Sequence, residues 1–231
     1  MPAPSFLFKQ FEVRHDRCAH RVGTDGVLLG AWADGGKHLL DIGTGSGLIA
    51  LMMAQRYSHA LVDAIEPDEP SAAQARENFK GNLFADRIRL FGKRLQDFFP
   101  TVQYDSIVCN PPFYVNGLLG GDHRRMQARH SQWLPLGELM EGVDRLLTKE
   151  GAFSLILPTT SVPALVSEAL SRGFSVQKRT DVATIEGKSP TRTLLKLTRN
   201  SDKMLLEEQF ISHKDGTKSE WHHALTRDFY L

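Results

Sequence analysis

The run Leu39-Leu40-Asp41-Ile42-Gly43-Thr44-Gly45-Ser46-Gly47-Leu48 limits the folds open to this chain more than any other segment. A strand-like apolar stretch runs into three alternating glycines, then into a helical pattern at Leu48, Ile49, Leu51 and Met52. Open α/β sheets place such a turn at the carboxyl end of their first strand, where they bind ligands. Gly43, Gly45 and Gly47 let the backbone turn sharply and approach a bound molecule with no Cβ in the way. A glycine turn that only packs helix on strand is the structural alternative.

The rest of the chain agrees with an α/β class. Short apolar runs at 38–42, 61–65, 87–91, 104–109 and 152–157 predict strands, and stretches of helical period at 47–56, 70–81, 136–147 and 161–171 predict helices between them. That alternation builds a doubly wound, mostly parallel sheet. After Gly173 the pattern changes. Phe174 to Lys178 and Thr193 to Thr198 predict an antiparallel hairpin on one sheet edge, joined by a loop with Gly187, Ser189 and Pro190. A length of 231 residues suits one domain. Within it, 1–36 is expected to cover the site and 37–199 to form the core. Residues 200–231 read as a polar tail packed on that core through Phe210, Trp221, Phe229 and Tyr230.

The glycine spacing is G-x-G-x-G, not the G-x-G-x-x-G of dinucleotide folds, and Asp41 stands two residues before it. A carboxylate there would repel a pyrophosphate and favour a cationic amino-acid group, as in S-adenosylmethionine, which has an ammonium and a sulfonium and no phosphate. Glu66, at the end of the second strand and 19 residues beyond Gly47, can accept the two ribose hydroxyls of a nucleoside. Asp63 and Asp68 read as a solvated or capping pair. After the third strand, Asp97 could accept from an adenine amine while Leu95 or Phe98 contacts the ring. An Asp in such a loop also serves as a cap or turn residue.

The fourth strand, Tyr104 to Cys109, runs directly into Asn110-Pro111-Pro112-Phe113. This topology sets the tetrapeptide beside the glycine loop, across the switch point. An exocyclic ring amine is a poor nucleophile because its lone pair is delocalised. The Asn110 side-chain carbonyl and the Pro111 backbone carbonyl could each accept one N–H and aim the lone pair. Two prolines hold those acceptors with little entropy left to lose, and Phe113 offers a face for a planar base. By itself the tetrapeptide is a rigid turn. Coupled to the glycine loop, it points to methylation of an amine.

Composition excludes several classes. Lys plus Arg number 28 against 27 Asp plus Glu, so the net charge of +1 carries no histone-like excess and any basic surface must be local. Cys18 and Cys109 have no paired spacing, which argues against a disulfide scaffold or zinc knuckle. The nine histidines show no H-x-x-x-H or H-E-x-x-H spacing, so no metal is assigned. His222 and His223 read as surface residues, Met52 and Met53 as core. No targeting or membrane-spanning segment is evident, and a cytoplasmic monomer is expected.

The D-x-G-x-G-x-G loop and N-P-P-F motif resemble those of class I amino-methyltransferases, with a seven-stranded Rossmann-like sheet. Adenine N6, guanine N2 and glutamine amide enzymes share these motifs, and a noncatalytic nucleotide- or RNA-binding module could use the fold. The stretch Arg17 to Trp32, RCAHRVGTDGVLLGAW, with its spacing to Asn110, is similar to the bacterial tRNA(Val) adenine-N6 methyltransferase family along nearly the whole chain. The resemblance implies methylation of the adenine 3′ of the anticodon, with Thr24 and Asp25 over the methionine end of the cofactor. Pro67, beside the cofactor adenine, departs from the aliphatic residue common in relatives. A tRNA substrate draws attention to basic segments: Arg124, Arg125 and Arg129 after the amine motif; Lys188 and Arg192 in the hairpin; and Lys9, Arg14, Arg17 and Arg21 near the start. Each also suits a solvated charged surface.

Overall fold

The computed structural model describes residues 4–18, 21–111, 134–199 and 201–231. A small antiparallel hairpin, β1 (Ser5–Leu7) and β2 (Glu12–Arg14), precedes α1 (Thr24–Trp32). The alternating series follows with β3 (His38–Ile42), α2 (Leu48–Arg56), β4 (Leu61–Ile65), α3 (Glu69–Lys80), β5 (Ile88–Phe91) and β6 (Tyr104–Cys109). It continues through α4 (Leu136–Leu146), β7 (Leu147–Pro158) and α5 (Val162–Leu170). Then come β8 (Ser175–Ile185), β9 (Arg192–Thr198), β10 (Leu205–Ser212) and α6 (Glu220–Thr226).

The large sheet has the order β10-β8-β9-β7-β6-β3-β4-β5. Neighbours from β5 to β7 run parallel, and β9 lies antiparallel between β7 and β8. The expected hairpin is therefore present, with β8 about twice the expected length. The sheet has eight strands instead of seven because β10 adds a parallel edge to β8. Polar side chains hid that strand: Glu207 bonds Lys178 Nζ at 3.2 Å and accepts from Thr180 Oγ1 at 3.1 Å, so its charge belongs to strand pairing. Beyond it, Ser219 caps α6 by accepting from His222 N at 3.1 Å. Residues 201–231 thus contain a strand and a helix and pack on the core through Phe229, Trp221 and Tyr230. His222 is also buried, stacked on Tyr230, and not a surface residue.

Both faces of the central strands are covered, which is why they read as continuous apolar runs. Leu39 packs in the cluster of α1, α2 and the N-terminal hairpin, while Leu40 packs with α4 and α5. Met52 and Met53 are fully buried in the first of these. Helix α1 had no clear sequence signal, because Gly26 to Ala31 are all buried and leave no polar face to give a helical period. It lies close on α2 through Gly30, where a Cβ would stand 2.7 Å from Met52 Sδ.

Strand β3 has β4 on one side and β6 on the other. The chain reverses direction across the sheet there, opening a crevice at the carboxyl ends of β3 and β6.

Candidate active site

A cavity of about 600 Å³ occupies that crevice. Gly43 to Ser46 form its floor, Glu66 and Pro67 one side, and Asn110 and Pro111 the other; Arg21 to Gly26 come from the N-terminal segment. Thr24, Asp25, Asn110 and Pro111, distant in sequence, are thus brought to one space.

The glycine loop is held by its own backbone and by two carboxylates. Gly43 N and Thr44 N both donate to Ile65 O, at 2.9 and 3.0 Å. All three loop glycines have positive φ, and Gly47 opens α2 with Phe79 so close that a Cβ would stand 2.4 Å from its ring. At Gly43 and Gly45 a Cβ would meet nothing within 4 Å, so their open side is the cavity itself. That bare, left-handed backbone beside a buried acid fits a cofactor with an amino-acid end. The Asn78 amide donates to Ser46 O at 2.7 Å and to Arg14 O at 2.9 Å, clasping the N-terminal segment against the loop.

Glu66 is buried at the cavity wall. Its Oε2 accepts from Gly45 N and its Oε1 from Asp68 N, both at 2.9 Å. Burial raises its pKa, and the two backbone donors oppose that rise. Each oxygen retains a lone pair for a further donor.

Asp41 is placed differently from expectation. It is fully buried and does not line the cavity. Oδ2 accepts from Thr44 Oγ1 at 2.6 Å and from Ala50 N at 3.1 Å, while Oδ1 has no partner among the described residues. Desolvation pushes the carboxyl up to about 7. Its role is to tie strand, loop and helix together from beneath. Gly47 likewise shapes the loop from behind the cavity wall.

At the end of β5, Lys93, Arg94, Leu95 and Gln96 line the cavity, and Asp97 and Phe98 do not. Asp97 is exposed at the end of a short 3-10 turn, and Phe98 packs in the core between Phe91 and Tyr104. Chemical type favoured Asp97, whereas the rule that ligands sit at strand ends would have favoured the residues just after Phe91. Arg145 locks this turn by donating to Leu95 O at 2.9 Å and Phe98 O at 2.6 Å. Asp68 caps α3, accepting from Ser71 N at 3.1 Å. Asp63 is not solvated: it is buried under a bidentate bond from Arg89, at 2.8 and 2.9 Å, and one from Tyr104 Oη at 2.7 Å.

On the opposite wall, the Asn110 side chain has no hydrogen-bond partner among the described residues and lines the cavity beside Pro111 and Cys109. Pro112, Phe113, Arg124, Arg125 and Arg129 lie outside the described residues. Arg192 lines the cavity, and Lys188 is exposed in the β8–β9 turn away from it. Of the N-terminal basic residues only Arg21 reaches the cavity; Arg17 pairs with Glu77, and Lys9 donates to Arg227 O at 2.6 Å. Among the described residues no group of three or more His, Cys, Asp or Glu is placed to hold a metal ion. None of their helices is long and apolar enough to cross a membrane.

Curated relatives match this chain in sequence along its whole length. A protein of Klebsiella pneumoniae (strain 342) named tRNA1(Val) (adenine(37)-N6)-methyltransferase is 42% identical over 236 aligned residues, covering 100% of this chain and 96% of the relative. The chain belongs to the tRNA1(Val) (adenine(37)-N6)-methyltransferase family. A Bacteroides thetaiotaomicron member of the same name is 41% identical, covering 100% of this chain and 99% of its own. The methyltransferase small domain profile matches residues 23–157, which run from the cavity's N-terminal wall to the end of β7. Among solved structures, a predicted O-methyltransferase from Agrobacterium tumefaciens superposes with a TM-score of 0.68 at 18% identity, over 89% of this chain and 96% of that one. A methyltransferase from Pyrococcus furiosus gives 0.54 at 24% identity, over 76% and 81%. These two share the fold. The family members match in sequence from end to end.

Proposed function

We propose that the chain methylates N6 of the adenine at tRNA position 37, 3′ of the anticodon of tRNA(Val), with S-adenosylmethionine as cofactor. One observation carries the reading: Asn110 and Pro111 share a single cavity with the open side of the glycine loop and with Glu66. S-adenosylmethionine, when bound, supplies an electrophilic methyl group on a sulfonium.

Gly43 to Ser46 accommodate its amino-acid end beneath Thr24 and Asp25. Glu66 takes the ribose hydroxyls with the lone pairs that Gly45 N and Asp68 N leave over. Pro67 and Leu95 offer apolar surface to the adenine ring. Across the cavity, the Asn110 side-chain carbonyl and the Pro111 carbonyl accept the two N–H groups of the target amine. That holds the nitrogen in one orientation and returns electron density to it, and positioning of this kind accounts for much of a transfer rate. The amine can release its proton to water after transfer, so no dedicated base is required. Phe113, after Pro112, stacks on the extruded base. Arg124, Arg125, Arg129 and Lys188 supply phosphate contacts, and a tRNA substrate fits a cytoplasmic location.

The test is to incubate the purified chain with methyl-labelled cofactor and unmodified total tRNA, then digest the product. Label in N6-methyladenosine at position 37 is the expected result. Label in a guanosine, or on a protein glutamine added in parallel, would replace the substrate reading, and absence of transfer to any of them would defeat it.

A further inference from the structure

Arg192, the first residue of β9, pairs with Pro158 of β7 and Val182 of β8, which sets it at the carboxyl-end rim of the sheet. It lines the cavity together with Asn110 and Pro111. Its guanidinium is held from two sides: Nε donates to Asp25 Oδ2 at 2.7 Å, and Nη1 donates to Thr191 O at 3.1 Å. Among the described residues Nη2 has no acceptor. The carboxylate of Asp181 is already occupied by Arg179 and by Thr193 Oγ1, so it does not compete for the guanidinium.

The pair joins positions 167 apart, and its side chains are 39% and 30% exposed. Partly exposed ion pairs contribute little to stability, so stability gives weak grounds for building one at the rim of a reaction cavity. Orientation gives better grounds. A guanidinium fixed at Nε and at one Nη1 hydrogen presents its remaining N–H groups as a rigid fork, and that fork matches two phosphate oxygens. A nucleotide whose base is inserted beside Asn110 brings its flanking phosphates to the rim. Asp25 lies in the first turn of α1, and Gly23 to Gly26 around it also line the cavity opposite the glycine loop.

Given a tRNA substrate, the geometry points to Arg192 as the residue that grips the phosphate next to the methylated base, with Asp25 as its positioning residue. The same short segment that walls the cofactor space then sets the RNA grip, so the two sites share one element. Arg192 supplies the charge and the fork; toward the RNA, Asp25 supplies direction to that fork.

The experiment uses an unmodified tRNA(Val) transcript, with steady-state methylation, tRNA binding across a salt series, and calorimetric cofactor binding, on the parent chain and four variants. Arg192→Gln should raise KM for tRNA about tenfold and flatten the slope of log affinity against log salt by about one, with cofactor affinity changed less than about twofold. Arg192→Lys should keep the salt slope and still raise KM, since it keeps the charge without the fork. Asp25→Asn should raise KM with the slope unchanged, and should add nothing in the double variant with Arg192→Gln. Thermal melting checks that each variant folds. An unaltered KM and slope in Arg192→Gln would overturn the phosphate role, as would a loss confined to cofactor affinity. An equal effect of Asp25→Asn with and without Arg192 would overturn the positioning role. Failure of the parent chain to methylate tRNA is a separate result and removes the substrate reading beneath.

Discussion

The two walls of the cavity are built on opposite plans. On the glycine-loop side the polar groups are largely committed within the protein: Asp41 to Thr44 and Ala50, Glu66 to Gly45 and Asp68. On the opposite side Asn110 has no partner among the described residues, and Arg192 keeps part of its guanidinium free. A wall with satisfied groups holds shape, and a wall with spare donors and acceptors does chemistry on what enters. The contrast separates a buried carboxylate such as Asp41, which ties the loop together, from an amide left free to meet whatever enters.

The strongest way to break this comparison is at Asn110. Replacing it with Ala should lower kcat on the order of a hundredfold or more while cofactor affinity stays within about twofold, because the lost acceptor acts on the amine only. Methyl-transfer rates and calorimetry on one preparation decide it; retained turnover would return Asn110 to the status of a turn residue.

A smaller effect is expected on the opposite wall. Glu66→Ala should weaken cofactor binding about tenfold to a hundredfold, since charge-assisted hydrogen bonds are lost and Gly45 N is left without its acceptor. An unchanged dissociation constant would remove Glu66 from the ribose contact.

The smallest effect sharpens the scaffold role of Asp41. Its carboxyl titrates at about 7 in the folded chain against 3.8 as the reference. The folded state therefore holds the proton more tightly, and the associated stability is complete below about pH 4 and lost as pH rises through about 7. Asp41→Asn should abolish that part of the fall in melting temperature between those pH values. A melting profile parallel to the parent's would show that Asp41 does not titrate there.

Much of the core was legible because parallel strands buried on both faces write themselves as apolar runs, and Leu39 to Ile42 is the clearest case. Helix α1 was not, because burial on nearly every side removed its period. Nor was β10, whose Glu207 looks like tail polarity until Lys178 stands beside it. Asp63 misled for the same reason: Arg89 and Tyr104, which surround it, are remote in sequence.

Sequence alone determined the reaction class, since the glycine loop and the Asn110-Pro111 turn are contiguous motifs that can be read without knowing what packs around them. The family resemblance read from Arg17 to Trp32 narrowed the substrate. Only the tertiary structure decided which carboxylate faces the cavity and which lies under it, that residues 93–96 and not Asp97 form the wall, and that Asp25 meets Arg192. These outcomes depend on the strand order, which sets segments far apart in the chain around one crevice, and no local spacing encodes that arrangement.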